Sequence, residues 1–202
     1  MKSMLHAPSV LIEIGQSTLT VLDGDDGLEL SLERGENGRL SSPCAERLKE
    51  SLRVFLKKHS WRSQVRAYCA ISARGVSLRR LTLPFCSKEE LDRLVALQIE
   101  REFPLPPAEL AWGYRVVKAV SDDPAKPGQE LLVAAIKRDV LDDYSALLAD
   151  CGVDAVFTLS ALARGELCGQ SGATYSLLDI GRNQSEIISF KQGAPTGIRV
   201  LA

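Results

Sequence analysis

Two short segments of this chain repeat each other, and that repeat constrains its fold more than any other feature. Glu13-Ile14-Gly15 and Asp179-Ile180-Gly181 lie 166 positions apart (13 to 179), and at the same offset Gly27 matches Gly193. In each copy an apolar stretch precedes the acid, polar residues follow the glycine, and an alternating stretch comes next. The pairs are Ser9–Ile14 with Thr18–Leu22, and Tyr175–Asp179 with Ser185–Phe190. Alternation of period two around a glycine-bearing turn reads as a β-hairpin. A glycine-bearing hairpin turn exposes backbone N–H groups that can cradle a phosphate. An acid at the end of its strand can reach a divalent cation, or a water on it. Two such turns facing each other across a cleft would clamp the β- and γ-phosphates of a nucleotide.

Between the copies the pattern alternates strands and helices. Leu28, Leu30 and Leu32 alternate as a third strand. Leu48, Leu52, Phe55 and Leu56 recur at helical spacing within Pro43–His59. Ser87 with Glu90 is a capping box opening a helix whose stripe is Leu91, Leu94, Val95 and Ile99, and Phe103-Pro104 ends it. Two more helices are expected at Asp139–Cys151, with Gly152 as a left-handed cap, and at Thr158–Cys168. Strands are expected at Gln64–Ile71, Val76–Leu83, Ala111–Val120, Glu130–Ile136 and Val153–Phe157. The expected order is β-β-β-α-β, then β-α-β-β, then α-β-α, then β-β. That is mixed α/β, with the second block interrupting the first as a compact α+β unit.

Several function classes are disfavoured. The chain has 202 residues, 25 basic against 26 acidic, and a net charge of -1, so no global field draws it to nucleic acid or anionic lipid. Aromatics make up 5%, too few for a single-strand stacking platform. No apolar run approaches the roughly 20 residues that span a bilayer, and Met1–Pro8 lacks the pattern of a secretory signal. Five cysteines without a CxxC read as small buried hydrophobes in a reducing compartment. With only His6 and His59, a Ser–His or Cys–His pair has little to draw on. Gly15 is followed by Gln16-Ser17-Thr18-Leu19, without the second glycine of a dinucleotide-binding turn. The expectation is a soluble, cytosolic assembly module rather than a self-sufficient enzyme, with no catalytic residue assigned.

The middle of the chain carries a family resemblance. Arg80-Leu81-Thr82-Leu83-Pro84, the acidic helix Ser87–Phe103, the turn Phe103-Pro104-Leu105 and the strand Trp112-Gly113-Tyr114-Arg115-Val116 follow one another in order. Glu130–Ala135 and Val140–Gly152 come next. With the twin acid-x-Gly hairpins, this order resembles the PilM-type actin-like proteins of type IV pilus assembly. It is more distantly similar to FtsA of cell division and to the cytoplasmic part of the type II secretion L protein. All belong to the actin–sugar kinase–Hsp70 superfamily.

The resemblance implies an α/β fold with a ribonuclease-H-like actin-type lobe at 1–73 and 138–170. It implies an inserted SHS2-type (FtsA-like) subdomain at 74–137, and at 173–202 only the first hairpin of a truncated second lobe. It implies ATP with Mg²⁺, held by Glu13, Gly15, Gln16, Ser17 and Thr18 on one side and Asp179, Gly181, Arg182 and Asn183 on the other. Glu13 and Asp179 would face the metal. Position 13 is Glu where the family usually has Asp, and Arg182 and Asn183 replace commoner small residues. The rest of the second lobe, which should hold the adenine, is absent from residues 1–202, whether the chain is a truncated or a shortened member, so the expected site is incomplete.

The resemblance also implies a scaffold at the inner membrane, for a pilus or for type II secretion, that binds the N-terminal cytoplasmic tail of a PilN-like bitopic membrane protein. The tail's groove is expected between the first lobe and the insert, with Phe103, Leu105, Trp112 and Tyr114 as apolar contacts. An unpaired hairpin edge invites self-association. The competing expectation is a nucleotide-hydrolysing or phosphotransferring enzyme of the same superfamily.

Overall fold

The computed structural model describes residues 10–35, 39–59, 65–72, 75–120, 128–168, 172–181 and 185–201. The chain divides into two compact units, 1–72 with 142–163 and 73–141 with 164–202.

The first unit is built on one five-stranded sheet. β1 (Val10–Ile14), β2 (Thr18–Asp23) and β3 (Asp26–Ser31) form an antiparallel meander. Helix α1 (Ser42–His59) follows, then β4 (Val65–Ile71), which returns parallel to β1. β8 (Val153–Leu159) lies parallel beside β4, giving the order β3-β2-β1-β4-β8. A parallel return needs a crossover element, and α1 supplies it. One face of this sheet is buried: Val10, Ile12, Ile14, Leu19, Val21, Ala67 and Cys69. The buried stripes Cys44, Leu48, Leu52 of α1 and Tyr144, Leu147, Leu148 of α3 (Arg138–Ala149) supply the matching apolar surface. Alternation sends the intervening residues to the opposite face, where Leu11, Leu22, Tyr68 and Val156 stand exposed in one cross-strand row. Gly152 takes φ 76° at the end of α3, the left-handed cap its position foretold, and its carbonyl accepts from Val65 N–H at 2.9 Å.

The second unit holds two three-stranded antiparallel sheets. β5 (Ser77–Pro84), β7 (Gly128–Lys137) and β6 (Leu110–Val120) are ordered β5-β7-β6, so β6 is an edge strand. Helix α2 (Lys88–Glu102) packs Leu91, Val95 and Ile99 with Leu81 and Leu83 of β5 and Leu131 and Val133 of β7. Its start is the expected capping box: Glu90 N–H donates to Ser87 Oγ at 3.3 Å, and Ser87 N–H donates to Glu90 Oε2 at 3.0 Å. The other sheet is β9 (Tyr175–Ile180), β10 (Ser185–Lys191) and β11 (Ala194–Leu201), ordered β11-β10-β9. The sequence reading ended at β10. β11 is interrupted by Pro195 and Gly197 and reads as loop, yet it pairs along its length with β10 around a register shift at Ser189/Phe190. Arg80 of β5 donates to the carbonyls of Lys191 and Ala194 and forms a largely buried ion pair with Glu130 at 2.8 Å.

The repeat is confirmed in its first two strands and corrected in its third. Ile14 pairs with Leu19 and Ile180 with Ser185, so one offset carries both registers. Gly27 and Gly193 are not equivalent. Gly27 sits inside β3 opposite Leu22, whereas Gly193 is in the β10–β11 turn at φ 73°. The positive-φ glycine of the first meander's β2–β3 turn is Gly24, at φ 63°. The offset drifts because the second strands differ in length before they turn.

Candidate functional site

The Gly15–Thr18 turn joining β1 and β2 is tied down through its carbonyls. Gly15 N–H donates to Thr18 O at 2.8 Å, closing the turn. Ser72 N–H donates to Ile14 O at 3.0 Å, and Leu32 N–H to Ser17 O at 2.8 Å. The two carbonyls between them go to one side chain: Arg34 donates from Nη2 to Gly15 O and from Nε to Gln16 O, both at 3.3 Å. The Arg34 guanidinium also lies 5.8 Å from the centroid of the Tyr144 ring. A Cβ on Gly15 would stand 3.0 Å from Thr18 O, so this glycine has a steric reason to be one. Glu13, the preceding acid, points to the exposed face of the sheet.

In the second copy, Asp179 accepts from Arg164 Nη2 at 3.0 Å. Arg164 belongs to α4 (Ser160–Leu167), and its Nη1 lies 3.4 Å from Glu186 of β10, whose side chain is buried. Gly165, the next residue, faces the Phe190 ring so closely that a Cβ there would fall 2.6 Å from Cε1. Phe190 stacks on Tyr175 with ring centroids 4.6 Å apart. Gly181 is exposed, and Arg182 and Asn183 lie outside the described residues. The Glu13 and Asp179 turns belong to different units.

The donor set of the first turn fits a phosphate: Gln16, Ser17 and Thr18 bring backbone amides and hydroxyls, and Gln16 Nε2 is buried without an acceptor among the described residues. The fit to Mg²⁺ is thinner. Each turn brings a single acid, and no group of three or more His, Cys, Asp or Glu assembles among the described residues. A cation that keeps most of its waters needs only one or two carboxylates. Asp179 would have to share its carboxylate with Arg164.

The four apolar residues proposed for a partner belong to one cluster of the second unit. Phe103 is buried in the α2 core, and Leu105, Trp112 and Tyr114 pack against it half-buried. Tyr114 O–H donates to Asp92 Oδ1 at 2.7 Å, and this bond, with some burial, pushes the phenol up to about 12.

Sequence reasoning missed Arg34 and Arg164. Nothing near Arg34 announces its partners. Arg164 left a faint signal: Glu186 falls on the inward phase of β10, with Ile188 and Phe190, and a buried acid requires a partner.

Among the described residues no helix is long and apolar enough to cross a membrane. No sequence-family model matches the chain, and no curated protein matches it. Its fold is that of solved structures. It is similar to a "PilM-PilN type IV pilus biogenesis complex", with TM-score 0.75 and 20% identity over 96% of this chain and 61% of that one. It is also similar to the cytoplasmic domain of EpsL of Vibrio cholerae, an inner membrane component of the type II secretion system. There the TM-score is 0.59 and the identity 10%, over 96% of this chain and 71% of that one. The resemblance read from the sequence is thus upheld at the level of the fold. The chain spans about three fifths of the PilM-PilN chain it matches.

Proposed function

We propose that this chain is a PilM-type actin-like scaffold of an inner-membrane assembly platform, cytoplasmic and held at the membrane through its partners. One observation carries the reading: 96% of the chain follows the fold in the pilus complex at TM-score 0.75. In this reading residues 74–137 are the SHS2-type insert and 173–202 open a second lobe. The partner is the N-terminal cytoplasmic tail of a PilN-like membrane protein. The half-buried Leu105, Trp112 and Tyr114 offer it apolar contact, while Phe103 supports them from beneath. β6 offers an edge on which an extended tail can add as a strand.

ATP with Mg²⁺ belongs to the same reading as a ligand rather than a substrate. The Gly15–Thr18 turn would take phosphate oxygens, and Glu13 and Asp179 would face the hydrated cation. Gly181, Arg182 and Asn183 would complete the second turn. Bound nucleotide would supply a cluster of negative charge that these residues orient.

Co-expression of the chain with a PilN-like partner tests the scaffold. Co-purification through the tail, lost when the tail is deleted, supports it. Turnover of MgATP by the purified chain without tail binding would favour the enzyme reading instead.

A further inference from the structure

A charged residue that contacts the Gly15–Thr18 turn is not one of those named for phosphate or metal. Arg34 donates to Gly15 O and Gln16 O with one guanidinium. Two neighbouring carbonyls that point at one group fix two neighbouring peptide planes. In a trans peptide the N–H points opposite to the C=O of the same plane. The N–H groups of Gln16 and Ser17 are therefore turned to the side away from Arg34. The carbonyls on either side are also occupied, Ile14 O by Ser72 and Ser17 O by Leu32, so the turn cannot flip its planes without breaking several bonds. Among the described residues no backbone acceptor takes the Gln16 or Ser17 N–H.

We propose that Arg34 is a positioning residue that holds consecutive amides of the Gln16–Thr18 stretch as a ready-made anion nest. This rests on the phosphate reading of the turn given above and adds to it the group that organises the site from behind. Successive N–H groups converging on one side bind phosphate oxygens without a charged side chain among the contacts. The guanidinium is suited to the task because its planar fork spans two carbonyls at once, which a lysine ammonium does not. Its position over the Tyr144 ring gives the fork a floor, since a cation is attracted to an aromatic face. Tyr144 is itself buried on α3, so the support is rigid.

The test uses the full 202-residue chain with inorganic pyrophosphate as the probe and backbone amide NMR as the readout. In the native protein the amide signals of Gln16, Ser17 and Thr18 are expected to move in a saturable way. Arg34→Gln should weaken that binding about tenfold or more, and shift the Gln16 and Ser17 amides even without pyrophosphate. Arg34→Lys, which reaches one carbonyl, should fall between, and signals remote from the turn report that both variants stay folded. Native binding that Arg34→Gln leaves unchanged, with the variant folded, overturns the positioning role and leaves the phosphate reading standing. Native protein whose turn amides do not respond, or respond no more than scattered surface amides, overturns both.

Discussion

Ile14 and Ile180 hold the same place in two copies of one β-meander, yet Ile14 is 1% exposed and Ile180 is 77% exposed. Their registers agree, so the difference lies in what each meander packs against. The first buries the Ile12, Ile14, Leu19, Val21 face, which needs the apolar stripes of α1 and α3. The second buries the other face, with Ile188 and Phe190 covered where α4 brings Gly165 and Arg164. Identical strand–turn–strand units can thus bury opposite faces, because a strand's two faces are fixed only relative to each other. Ile14→Ala should cost about 2–5 kcal/mol, and Ile180→Ala no more than about 0.5 kcal/mol. Urea unfolding of the two variants checks the contrast; equal losses would show that the Ile180 face is covered in solution.

Gly165 is a packing glycine. Alanine there would gain about 1 kcal/mol of helix propensity but would set a Cβ 2.6 Å from the Phe190 ring. That ring is pinned by its stack on Tyr175, so it has little room to retreat. Overpacking of this kind costs about 1–3 kcal/mol. Gly165→Ala should therefore lower the melting temperature, while alanine at an exposed helix glycine would raise it.

The capping box at the start of α2 contributes locally. Ser87→Ala removes the acceptor for Glu90 N–H and should cost about 1 kcal/mol. Hydrogen exchange in the first turn of α2 should quicken first.

Cys69 is a core group and not a nucleophile. Burial pushes its thiol from the usual 9.0 up to about 12. Between those values the folded chain keeps a proton that the unfolded chain has lost, so stability should fall as pH rises from about 9 toward 12. Tyr114, raised to about 12 chiefly by its bond to Asp92, adds to the same fall from its usual 10.0 upward. Cys69→Ala should flatten the decline in urea midpoint over that range. Iodoacetamide at neutral pH should leave Cys69 unmodified in the folded protein.

Much of the fold was legible because it rests on local chemistry. The Ser87–Glu90 box, the Gly152 cap and the alternation through β1 and β4 each declare themselves within a few residues. β11 was not legible, since Pro195 and Gly197 break its pattern and its pairing to β10 is a tertiary fact. The site divides the same way. The glycine turns can be read from sequence, but the choice of Arg34 for the carbonyls of Gly15 and Gln16, or Arg164 for Asp179, cannot. A long cation's partner depends on which strands and helices come together around it.

The scaffold reading turns on whether the chain holds a membrane partner's tail. The direct measurement is fluorescence anisotropy of a labelled synthetic peptide, the N-terminal cytoplasmic tail of a PilN-like protein, titrated with the 202-residue chain. Saturable binding at one peptide per chain, weakened at least tenfold by Trp112→Ala without loss of folding, is the expected result. No binding at any accessible protein concentration, alongside turnover of MgATP, would contradict it.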